Sequence, residues 1–181
     1  MKKKLIGALV GGLLIFIWQM FSHMVLNLHG DEEMYTAKQD SVLSALRSQI
    51  TEEGQYFLPN LPPGSSMDEM KKLGENTMGK PWAMVSYHNS YDMNIGTAMV
   101  RTALVDIAMV LLLCWILFEF GTASFFTIFF SSVFTGLIVF LNAFYTNHIW
   151  FQTFGITANL VDLLVSWGIC GIWLAWWLRK K

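Results

Sequence analysis

The chain has 181 residues, of which 54% are hydrophobic and only 14% charged, with a formal net charge of −1. A soluble domain carries about 25% charged residues, so this composition excludes an ordinary water-soluble globule and, with no basic excess, a nucleic-acid-binding protein. It predicts a chain that spends nearly half its length in lipid.

Four apolar stretches carry that expectation, at residues 5–26, 98–118, 124–145 and 159–178. Each has the roughly 20 residues that an α-helix needs to cross about 30 Å of hydrocarbon. Lys2, Lys3 and Lys4 precede the first, and Arg179, Lys180 and Lys181 follow the last. The short connection from Glu119 to Ala123 has no basic residue. By the positive-inside rule both ends of the chain face the cytoplasm, which four spans permit. The first span reads as an uncleaved signal anchor: its apolar run is long, and Phe21-Ser22-His23-Met24 offers no small-residue cleavage site. The expected fold is an all-α transmembrane four-helix bundle with a small α+β extracytoplasmic cap between its first two spans. The expected parts are 1–26 (cytoplasmic N-terminus and first span), 27–97 (cap) and 98–181 (last three spans and cytoplasmic C-terminus).

Within the first span, Gly7 and Gly11 stand in a G-x-x-x-G spacing, which permits close helix approach. In the cap, Asp31-Glu32-Glu33 suits a helix N-terminus, and Tyr35, Val42, Leu43, Leu46 and Ile50 recur at near-helical spacing up to the stop at Gly54. Gln55 to Leu58 reads as a short strand, followed by the loop Pro59-Asn60-Leu61-Pro62-Pro63-Gly64. Ser66-Met67-Asp68-Glu69 is a capping box that opens a helix to about Leu73, and Pro81 to Tyr87 reads as a strand able to pair with the first. The cap is acidic and has no cysteine, which excludes a disulfide framework there; Cys114 and Cys170 both fall in spans.

The second span contains Asp106, about seven residues in. A carboxylate there costs several kcal/mol unless neutralised, paired or hydrated. Arg101 and Asp162 lie near the same ends of the second and fourth spans, so the expected arrangement is an ion pair of Arg101 with Asp162 or Asp106, the alternative being an ion-handling carboxylate. The third span is rich in phenylalanine and offers no charge, which disfavours a wide aqueous pore. In the fourth, Ser166, Gly168 and Gly171 form a small face for packing, and Trp173, Trp176 and Trp177 an interfacial anchor.

His23, His29 and His148 all map near the extracytoplasmic ends of spans, with Asp31, Glu32 and Glu33 next to His29. These residue types can form a nitrogen- and oxygen-ligated metal site, although the spacing matches no ligand motif. No Walker A, G-x-S-x-G, H-E-x-x-H or dinucleotide fingerprint is present, so no catalytic residue and no cofactor is expected.

The run from Trp18 to His29, with Gly54-Gln55-Tyr56-Phe57-Leu58-Pro59 and Gly79-Lys80-Pro81, resembles segments of a family of small bacterial inner-membrane proteins of about this length and no assigned activity. Its members carry tryptophan at the place of His23 and proline-tryptophan at Asn27-Leu28. The resemblance implies a bacterial four-span protein with one extracytoplasmic loop domain. The function expected first is a scaffold or accessory subunit, in contact with lipid and with a membrane complex or further copies of itself. An ion- or proton-coupled carrier using Asp106, and an outer-face metal-binding protein or enzyme, are the alternatives.

Overall fold

The computed structural model describes residues 2–119, 121 and 123–179. Lys180 and Lys181 of the basic C-terminus, and Phe120 and Thr122 of the loop before the third apolar stretch, lie outside the described residues. The elements are α1 (Lys2–Met24), α2 (Gln39–Gln49), β1 (Gly54–Leu58), α3 (Met67–Thr77), β2 (Ala83–Tyr87), α4 (Ile95–Glu119), α5 (Phe125–Val139), a π-helical segment (Phe140–Tyr145), α6 (Thr146–Phe151) and α7 (Ile156–Arg179). Two compact units result: one comprises the chain up to Met34 and from Asn94 onward, the other is Tyr35–Met93. Residues 27–34 and 94–97, expected in the cap, therefore group with the long helices.

Four helical stretches are long and apolar enough to cross a membrane: Lys2–Met24, Ile95–Glu119, Phe125–Phe151 and Ile156–Arg179, of 23, 25, 27 and 24 residues. Their apolar residues do not all turn inward. Leu5, Leu112, Phe126 and Ile172 are exposed, a pattern that suits lipid and not water.

α1 packs against both α4 and α7, and α7 also packs against α5. The α1–α7 seam runs antiparallel, as three contacts along it show: the Trp177 indole donates to the Lys3 carbonyl at 2.9 Å, Trp173 to Gly7 at 3.1 Å, and Trp18 to Asp162 at 3.1 Å. Two of the tryptophans expected to anchor an interface are thus turned onto α1, and only Trp176 is half-exposed. Val110, Cys114, Trp167, Cys170 and Leu174 fill the core with Ile15, and both cysteines are free and buried.

Small residues set how close these helices come. A Cβ on Gly11 would lie 2.9 Å from Val110, and one on Gly12 would lie 2.5 Å from the Ile107 backbone. Gly136 and Gly171 do the same on the α5–α7 seam, where a Cβ on Gly136 would lie 2.5 Å from the Trp167 ring. Gly168 departs from expectation. It faces open space, because it shares its side of α7 with the exposed Leu164 and Ile172, one turn away in each direction.

The third apolar stretch does not end at Tyr145. It continues helically to Phe151, with the register change of the π segment absorbed where the Thr146 N–H and hydroxyl both return to the Leu141 carbonyl. Gln152, in a left-handed conformation (φ 45°), closes α6 by donating to the His148 carbonyl at 2.8 Å. The expected loop from 146 to 158 shrinks to residues 152–155.

In the second unit β1 and β2 pair antiparallel from Gly54↔Tyr87 to Leu58↔Ala83, the pairing expected from the sequence. α2 begins at Gln39, not at Asp31: the acidic triplet is held in turns, with Glu32 occupied elsewhere. α3 carries the expected capping box, in which the Ser66 hydroxyl accepts from the Glu69 N–H and the Glu69 carboxylate accepts from the Ser66 N–H at 2.7 Å. Replacing Ser66 by alanine is expected to cost α3 about 1 kcal/mol, read as faster amide exchange in its first turn. The two bonds from Ser66 hold the Glu69 pKa below the ordinary glutamate value. The box is therefore intact above that ordinary value and loosens as pH falls through the lowered one.

Candidate metal centre

The site lies where α1 ends and α7 begins, and a local chain reversal builds it. Asn27 adopts a left-handed conformation (φ 48°), which asparagine tolerates better than most residues. The Leu26 and Leu28 N–H groups then donate back to the carbonyls of Phe21 and Ser22, closing α1. The turn brings His29, six residues past His23, back over the α1–α7 seam. There it is buried, and its ring stacks on His23 with centroids 3.9 Å apart and planes 10° from parallel.

Both His29 nitrogens face carboxylates. Nδ1 donates to Glu32 Oε1 at 2.9 Å and Nε2 to Asp162 Oδ2 at 2.8 Å. Burial disfavours charge on this ring, but the hydrogen bonds to Asp162 and Glu32 and their negative charges outweigh it and raise the His29 pKa above 6.5. His23 is more exposed. Its Nδ1 donates to the Gln19 carbonyl at 3.0 Å and lies 4.0 Å from Asp162 Oδ2. One ligand atom from each of His23, His29 and Asp162 falls within 4.8 Å of the others.

A second ring of contacts fixes the first. The Trp18 indole donates to the other Asp162 oxygen at 3.1 Å. The Asn159 amide donates to Glu32 Oε1 at 2.8 Å. Glu32 packs directly on Gly155, which has φ 69° and where any Cβ would overlap the carboxylate. An open cleft of about 400 Å³ adjoins these residues, lined in part by Leu28, Asp31, Phe154, Gly155 and Val161.

Around a tetrahedral ion with bonds of 2.0–2.1 Å, ligand atoms sit about 3.3 Å apart. The His29–Asp162 separation is slightly shorter, with a proton between the atoms, and the His23–Asp162 separation is slightly longer. The three ligand atoms are spread over up to 4.8 Å, so holding one ion requires the His23 ring to turn off the His29 ring and its Nδ1 to leave the Gln19 carbonyl. His29 would then bind through Nε2 while Nδ1–H stays on Glu32, the carboxylate–histidine–metal arrangement that orients imidazole ligands.

The sequence-derived candidates divide in consequence. His23, His29 and Asp162 come together. His148 does not join them, because its Nδ1 donates to the Thr153 carbonyl at 2.8 Å to close the loop after α6. Arg101 is exposed and, among the described residues, makes no ion pair with Asp106 or Asp162. Asp162 is claimed by His29 and Trp18 instead, and Asp106 is met by Gln19. Trp18 and Asn159 were not read as site residues from the sequence, and Glu32 entered only through its adjacency to His29.

No protein-family model matches the chain, and the curated proteins and solved structures give no match either. The resemblance to small bacterial membrane proteins therefore rests on the segments quoted for it.

Proposed function

We propose that this chain is a four-span protein of the bacterial inner membrane that binds a divalent transition-metal ion at its non-cytoplasmic end. Lys2, Lys3, Lys4 and Arg179 support a cytoplasmic side for both termini under the positive-inside rule. The metal cluster, at the opposite end of α1, then faces the other compartment. The observation that carries the reading is His29: a buried imidazole fixed by Glu32 on one nitrogen, with its other nitrogen directed at Asp162. Imidazole and carboxylate together suit zinc and its first-row neighbours, and three protein ligands leave one position open. This reading is preferred to a scaffold or accessory role because a specific constellation of residues supports it.

Purified in mild detergent, stripped with chelator and titrated with zinc, the protein is expected to take up one ion per chain, with protons released as His29 gives up its Nε2 hydrogen. Zinc content at background in calorimetry and elemental analysis would remove the reading.

A further inference from the structure

One buried acid is not used by the metal cluster. Asp106 stands eleven residues into α4 from Ile95, about 16 Å along the helix from its start. It is 1% exposed. Its Oδ1 accepts one long hydrogen bond from the Gln19 amide at 3.5 Å, and its Oδ2 has no partner. The other orphaned buried side-chain oxygen among the described residues, Ser22 Oγ, sits on the same helix as Gln19, three positions further on.

Among the described residues no charged side chain pairs with this carboxyl. α1 has none between Lys4 and His23, and α5 has no titratable residue at all. On α4 itself Arg101 is exposed and unpaired with Asp106. On α7, Asp162 is taken by His29 and Trp18, and Cys170 lies deeper in the core. An ionised carboxylate in such a place costs several kcal/mol or more. A neutral acid with one poorly bonded oxygen costs only about 1–3 kcal/mol. Burial here therefore favours the neutral acid over the carboxylate more than water does.

Gln19 also joins Asp106 to the end of the bundle. Its side-chain amide reaches Asp106, while its backbone carbonyl accepts from His23 Nδ1. Polar contacts thus run from mid-helix to the cluster end along the α1–α4 seam.

We propose that Asp106 is a proton-loading site, a carboxylic acid in the folded protein that exchanges its proton with water from the cluster end, past Gln19 and Ser22. In unloading, the Asp106 O–H bond breaks, the proton passes to water as hydronium, and a carboxylate remains; loading is the reverse. The proposal does not depend on the metal reading and is tested on chelator-treated protein.

The experiment is infrared spectroscopy of the full chain in lipid nanodiscs at neutral pH, with and without ¹³C in the aspartate carboxyls. A carboxylic-acid C=O band is expected that moves with the label, shifts when D₂O replaces H₂O, is lost in Asp106→Asn and survives in Asp162→Asn. Absence of the band means that Asp106 is ionised, and a band indifferent to D₂O means that its proton is sealed in; either overturns the proposal. Should Asp106→Asn fail to fold, Gln19→Leu replaces it: removing the amide donor must shift the same labelled band, and an unmoved band assigns it elsewhere and overturns the proposal.

Discussion

Asp162→Asn is expected to weaken zinc binding at least a hundredfold while leaving the helices assembled. Asparagine keeps the shape of the side chain, and its oxygen still accepts from the Trp18 indole, a bond of 3.1 Å in the native protein. Its amide group then donates to a neutral His29 Nε2, replacing the 2.8 Å bond with the polarity reversed. What disappears is the anionic ligand, so the loss falls on the metal and not on the fold. Glu32→Gln makes the graded comparison. It removes the charge behind His29 Nδ1 without touching a ligand atom, and outer partners of this kind are worth about 10–100-fold in affinity. Asp31→Asn, which changes an acid beside Glu32 that takes no part in the cluster, is expected to leave affinity unchanged. Zinc titration of the four proteins gives the order. Equal losses in Asp31→Asn and Asp162→Asn would mean that general negative charge attracts the ion and that the cluster does not ligate it.

The legible part of this site was its chemistry, not its pairing. Histidine and carboxylate near span ends pointed to metal ligation, yet local spacing could not join His23 to His29, which are six residues apart and off any shared helix face. The left-handed turn at Asn27 joins them, and single asparagines carry too weak a signal for that conformation to be read in advance. Arg101 was the obvious mate for two aspartates by charge alone. The helix rotations, set by which glycines face which seam, turned it outward. The long helices were legible because about 20 consecutive apolar residues admit few other structures. Their ends were less so: Asn159 was read as the start of a span, whereas α7 begins at Ile156 and leaves Asn159 positioned to hold Glu32. Gly168 was read as a packing residue from composition, and only the phase of α7 shows that it faces away.

That phase gives the second large effect. Gly12→Ala is expected to destabilise the protein by about 3 kcal/mol or more, the upper range for overpacking, and Gly168→Ala to be neutral or slightly stabilising, since alanine is the better helix former by about 1 kcal/mol. The two substitutions add the same methyl group to long apolar helices. At Gly12 it would sit 2.5 Å from Ile107 Cα and 2.6 Å from Ile107 N, backbone atoms that no rotamer change can move. At Gly168 it meets nothing within 4 Å. The obstacle at Gly12 can be relieved only by separating α1 from α4, which breaks the close approach that small residues permit in membrane helices. Unfolding of the two variants in mixed detergent micelles measures the difference, and equal stability would show that α1 and α4 do not approach so closely. Separation of this seam also strikes the polar sites unequally. The Gln19–Asp106 bond bridges α1 and α4 and is already 3.5 Å long, whereas His29 and Trp18 meet Asp162 across the α1–α7 seam. A Gly12→Ala protein that still folds should therefore bind zinc with near-native affinity while its Asp106 carboxyl band shifts, which separates the two sites by the helix pair that builds each.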